Sequence, residues 1–195
     1  MLRPHGGAAG GGIRVNPIQH VRVKIFASES ARTDLGDAIP VFHRWIQDRV
    51  CPEMLIDVAD YRHVPNGPGV MLIGHEASYS LDNSKGRLGL LYSRKQAGGE
   101  AQENLRQAFD AAVAACGRLE QAFAGKLKFD AGDCEFSIND RMLAPNREAT
   151  YLALKPEFER FLAEVWGPDS YSLERRGEDR ELFQVSVRKL ARLSH

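Results

Sequence analysis

Between residues 105 and 123 the side chains Leu105, Phe109, Ala112, Cys116, Leu119 and Phe123 recur at alternating steps of four and three. That period belongs to an α-helix with one apolar stripe, and it predicts a helix from about Glu100 to Phe123. Such a stripe has to be covered by another element. The small alanines of this segment would let it approach a sheet closely, and Gly125 is the expected stop.

The rest of the chain supplies the sheet. In HVRVKIFA (20–27), Val21, Val23 and Ile25 alternate with Arg22 and Lys24, which predicts a strand with one buried face. A helix is expected from about Asp37 to Val50, with Pro40 in its first turn and Phe42, Trp45, Ile46 and Val50 on its inner side. MLIDVADY (54–61) reads as a strand and HVPNGPG as a turn. VMLIGHEASYSLD (70–82) reads as one strand interrupted at Gly74, and RLGLLYSRK (87–95) completes a hairpin with it. Phe129 and Phe136 flank DAGD, which reads as the turn of a further hairpin. Residues 147–166 are helical in pattern, but Pro156 predicts two helices there instead of one. SYSLERR and LFQVSVRKL form a closing hairpin around GED. Strands grouped in hairpins with helices between the groups give an α+β fold: a largely antiparallel mixed sheet with about three main helices packed on it. The order suggests a duplicated β-α-β-β unit at 20–77 and 134–189, with no matching residues at corresponding positions.

The chain has 195 residues, enough for one such domain over 13–195 without covalent staples. Residues 1–12, MLRPHGGAAGGG, read as a flexible glycine-rich leader without the apolar middle of a signal peptide. Lys plus Arg (26) balances Asp plus Glu (26), so the basic excess of a nucleic-acid binder is missing and no nucleic-acid partner is expected. No apolar run approaches the roughly 18 residues of a membrane span, so no membrane partner is expected either. Cys51, Cys116 and Cys134 have no paired short spacing, and they read as buried free thiols of a cytoplasmic protein.

The familiar nucleotide, hydrolase and zinc-protease motifs are absent. What stands out is the polar density of 57–82: Asp57, Asp60, His63, His75, Glu76 and Tyr79, with Asp82 beside them. Asp57 lies between Ile56 and Val58, and a buried carboxylate needs a partner. If the strands at 54–61 and 70–82 are neighbours, Asp57 could orient His75 as a base or ligand, with Glu76 as the other orienter. Arg62 and Arg87 would supply anion recognition. The structural reading is the commoner one: a satisfied polar group, or a strand that leaves the core at Gly74. No fixed spacing supports a metal site, and no cofactor can be named.

The segments IPVFHRWIQ (39–47), IDVADYRHVPNGPGVMLIGHEASYSLD (56–82), GRLGLLYSRK (86–95) and INDRMLAPN (138–146) resemble parts of bacterial conserved proteins with no assigned activity. That resemblance covers about half the chain. It implies a bacterial, cytoplasmic protein and transfers no catalytic residue. Three functions remain open. The favoured one is a domain that binds or senses a small metabolite, with anions as one candidate class, where 57–63 meets 75–82, with Asp57, Asp60, His63, His75, Glu76, Tyr79 and Arg87 as candidate contacts. The second is an enzyme using His75 with Asp57 or Glu76 in acid–base or metal-assisted chemistry. The third is an oligomeric structural or adaptor protein that makes contact through Trp45, Trp166 or an open sheet edge. A homodimer is the default assembly.

Overall fold

Val21, Val23 and Ile25 are at most 1% exposed, which places the first strand in the middle of the molecule. The computed structural model describes residues 16–28 and 33–191, so the leader expected at 1–12 lies outside the described residues. Strand β1 (Val21–Ala27) is followed by α1 (Ala38–Asp48), β2 (Leu55–Tyr61), β3 (Gly69–Gly74), β4 (Ala77–Asp82) and β5 (Gly89–Arg94). Then come α2 (Ala101–Ala122), β6 (Phe129–Ile138), α3 (Glu148–Trp166), β7 (Tyr171–Arg176) and β8 (Phe183–Lys189). The strands form one eight-stranded sheet in the order β2-β3-β4-β5-β1-β6-β8-β7. The fold is α+β, with three helices packed on the sheet. Among the described residues every pairing is antiparallel.

The centre of the sheet joins distant parts of the chain. β1 pairs with β5 on one side and with β6 on the other. On each side a helix and a meander lead back to the starting strand: α1 and β2–β5 return to β1, while α3, β7 and β8 return to β6. The second half is therefore β-α-β-β, as its sequence suggests. The first half has two more strands than the expected unit at 20–77.

Three local expectations are corrected. VMLIGHEASYSLD is two strands, β3 and β4, and His75-Glu76 lies in the turn between them. A Cβ on Gly74 would stand 2.6 Å from the Ala77 carbonyl oxygen, so the tight turn requires glycine there. DAGD does not reverse the chain, and residues 129–138 are the single strand β6. The Asp130 carboxylate accepts the Gly132 N–H at 2.8 Å, and the β1–β6 register shifts between Ile25 and Ala27. The turn chemistry is thus used for an irregularity within the strand. Residues 148–166 are one helix with Pro156 inside it. The carbonyl that loses its amide partner belongs to Leu152, a residue 60% exposed, where water can serve it. Phe158, Phe161 and Leu162 beyond the proline are buried and hold the helix on the sheet.

The core lies between the sheet and the helices. Phe136 of β6 has its ring centroid 5.7–6.1 Å from those of Phe109, Phe158 and Phe161. Trp45 is 5% exposed against Phe42 and Tyr79, and Trp166 packs 6.0 Å from Phe109. Trp45 is therefore used inside the molecule, whereas Trp166 is half-buried and also lines a smaller surface cleft beside β8. All three cysteines are free and buried, and burial raises their thiol pKa values. Among the described residues no helix is long and apolar enough to cross a membrane.

Candidate functional site

A strand with one face in the core presents its alternate residues on the other face. On β1 those residues are Arg22, Lys24 and Phe26, and the register sets Arg22 opposite Ser93 and Ser137, and Lys24 opposite Leu91 and Glu135. Four connections rise around this side of the sheet: β2–β3 with Asn66, β4–β5 with Lys85, β6–α3 with Arg141, and β7–β8 with Glu181. Together they wall a cleft of about 840 Å³ whose floor includes Arg22, Lys24, Phe26, Glu135, Ser137 and Gln184. That volume suits a small metabolite.

The charges in the cleft fall into two groups. Most are paired. Lys24 Nζ lies 2.9 Å from Asp82, and the two side chains are only 8% and 5% exposed. Asp82 also accepts hydrogen bonds from the Ser84 N–H (2.7 Å) and the Ser84 hydroxyl (2.5 Å). Lys85 reaches Glu181 at 2.8 Å, joining two walls. Arg87 stacks 3.5 Å above the Phe26 ring and contacts Asp133 at 2.8 Å.

The second group is Arg22, Arg141 and Glu135, which form no ion pair among the described residues. Arg22 is half-buried, and its buried Nε has no hydrogen-bond partner. Burial pulls its guanidinium pKa down, against the attraction of Asp82 and Glu135. Arg141 donates only to the Arg180 carbonyl, at 2.9 Å. Burial pushes the Glu135 carboxyl up, opposed by its hydrogen bond with Gln184 and by the charges of Lys24, Lys85 and Arg22.

The seven residues singled out from the sequence do not converge. Of these seven only Arg87 lines the cleft, together with Asp82, the further carboxylate noted in that segment. Asp57 is exposed on edge strand β2, and its carboxylate accepts the N–H of Val58 at 2.8 Å. It sits opposite Ile73 in the ladder, so it is neither a buried carboxylate nor the orienter of His75. Asp60 pairs with Arg62 at 2.8 Å, and that hydrogen bonding lowers its pKa to about 2. His63 is exposed in the β2–β3 connection. The His75 side chain is 74% exposed, with Nδ1 3.5 Å from Glu76. Glu76 accepts the Met54 N–H at 3.0 Å, which lowers its own pKa and ties the turn to the start of β2. Tyr79 faces the core, where it and Tyr92 both donate to the Glu53 carboxylate, at 2.8 and 3.1 Å.

His75→Ala should therefore change unfolding free energy by no more than about 0.5 kcal/mol, as for other exposed residues without a special role. Urea denaturation checks this, and a loss above about 1 kcal/mol would show a structural duty that its exposure does not. Among the described residues no group of three or more His, Cys, Asp or Glu side chains is placed to hold a metal ion.

Sequence reasoning missed Arg22, Lys24, Glu135, Arg141 and Gln184. The available signal was Phe26, an aromatic residue in the same alternating row as Arg22 and Lys24. An aromatic side chain on a face read as solvated marks a row that something covers. Comparison with known proteins adds no assignment: no protein-family model matches the chain, and no curated protein is significantly similar to it.

Proposed function

We propose that this chain binds or senses a small anionic metabolite in the cleft on the helix-free side of its sheet. The observation that carries the reading is Arg22, a half-buried cation on the cleft floor with no ion pair among the described residues. A desolvated guanidinium without a partner is costly. An arriving oxyanion would supply that partner with geometry matched to the planar fork. Arg141, Ser137, Asn139 and Gln184 also line the cleft and add donors.

Thermal unfolding with ethyl phosphate or propionate tests the proposal. A ligand present at a hundred times its Kd stabilises by about 2.7 kcal/mol, which for a domain of this size corresponds to a rise in Tm of about 5–10 °C. At least one of the two anions should produce such a rise. If neither does at millimolar concentration, the cleft is not an anion site. The enzyme reading built on His75 has less support, because its imidazole is 74% exposed with Glu76 at 3.5 Å, and the exposed Asp57 carboxylate accepts the Val58 N–H.

A further inference from the structure

The cleft floor carries two opposite charges that form no ion pair with each other. Arg22 stands opposite Ser137, and Glu135 stands opposite Lys24 on the same pair of strands. Arg22 and Glu135 are thus diagonal neighbours, with backbone positions about 7–8 Å apart, a distance that long side chains bridge. They do not bridge it: no ion pair joins them. Lys24, the direct neighbour of Glu135, turns instead to Asp82. The result, among the described residues, is a guanidinium with no carboxylate and a carboxylate with no cation in contact, side by side at the base of an open cleft.

We propose that the ligand is a zwitterion, an oxyanion that also carries an ammonium group, such as an amino acid or an amino-phosphate. Its oxyanion lies against Arg22, with Arg141 at the same end of the cleft, and its ammonium lies against Glu135. This assignment rests on the anion-site reading above and narrows it. A simple anion would satisfy Arg22 but bring like charge towards Glu135, and a simple amine would do the reverse. Only a molecule with both groups completes both half-buried charges at once. The paired rim charges Lys85–Glu181 and Arg87–Asp133 need no such partner.

The test compares each zwitterion with the same anion lacking the amine: O-phosphoethanolamine with ethyl phosphate, and β-alanine with propionate, by titration calorimetry on the full chain. In at least one pair the zwitterion should bind about tenfold tighter or more, as a charge-assisted hydrogen bond warrants. The pair that shows the preference tells a phosphate-bearing ligand from a carboxylate-bearing one. In Glu135→Gln the two members of that pair should move in opposite directions, the zwitterion weaker and the simple anion tighter. Equal affinity within about twofold in both pairs overturns the zwitterion assignment while leaving the anion site standing. So does a preference that survives Glu135→Gln. Failure of all four compounds to bind removes both. The wild-type comparison decides even if Glu135→Gln folds poorly, and Glu135→Ala then serves as the second variant.

Discussion

Asp82→Leu should destabilise the protein by about 3–5 kcal/mol, and adding Lys24→Met should return a large part of that loss. Lys24 and Asp82 meet at 2.9 Å with both side chains almost wholly enclosed. Removing one charge from such a pair leaves the other buried without compensation, whereas removing both leaves two apolar side chains in contact. The two single variants are not equivalent. Without Lys24, Asp82 keeps its two hydrogen bonds from Ser84. Without Asp82, Lys24 keeps a 3.5 Å contact with the Ser84 carbonyl, the Phe26 ring 5.5 Å away and the more distant charge of Glu135, and the Ser84–Gly86 turn loses its anchor. Asp82→Leu should therefore be the more damaging, with Lys24→Met nearer the lower bound. Urea unfolding of the two single variants and the double variant measures the coupling, expected to be at least about 2 kcal/mol. Additivity within about 0.5 kcal/mol would mean that the pair is solvated in a way its burial does not indicate.

The same pair illustrates what could be read from the sequence. Lys24 was legible as a residue on the far face of β1, because Val21, Val23 and Ile25 fix the alternation. Its partner was not, since Asp82 is 58 residues away and reaches it through the pairing of β1 with β5 and of β5 with β4. Local periodicity gave β1, α1, α2 and the closing hairpin, where each element carries its own apolar pattern. It failed at His75-Glu76 and at DAGD. There, short polar stretches could mean either a chain reversal or an irregularity, and only the partner strand decides. It failed again at Pro156, where helix packing outweighs one lost hydrogen bond.

The residues singled out in 57–82 fail to gather around one cleft for a related reason. Polar residues are dense in 57–82 because that segment contains an edge strand and two turns, and apart from Asp82, which reaches Lys24, the carboxylates there serve backbone groups or a near neighbour. Asp57 takes the Val58 N–H, Asp60 takes Arg62, and Glu76 takes the Met54 N–H. The cleft charges are instead spread at every second position of β1 and β6, interleaved with core residues. Such spacing resembles an ordinary solvated face until four connections from both halves of the chain are seen to rise around it.

Arg22→Met should weaken binding of ethyl phosphate about ten- to hundredfold while leaving the unliganded protein at least as stable as the wild type. The first half follows from losing a charged donor to the oxyanion. The second half is the more diagnostic. A residue that holds a fold together costs stability when removed, but Arg22 offers the fold little: among the described residues it has no ion pair, and its buried Nε has no partner. Its neighbours across the ladders are Ser93 and Ser137, whose short side chains do not stack against the full length of the arginine. Methionine matches the unbranched stem and removes the desolvation cost, so Tm should hold or rise. Charge kept at a stability cost is expected where a ligand completes the site. Thermal unfolding with and without ethyl phosphate reads both halves in one experiment. A fall in Tm of several degrees without ligand would make Arg22 a structural residue. The case for an anion in the cleft would then pass to Arg141 alone, whose exposed guanidinium already has the Arg180 carbonyl and carries no comparable desolvation cost.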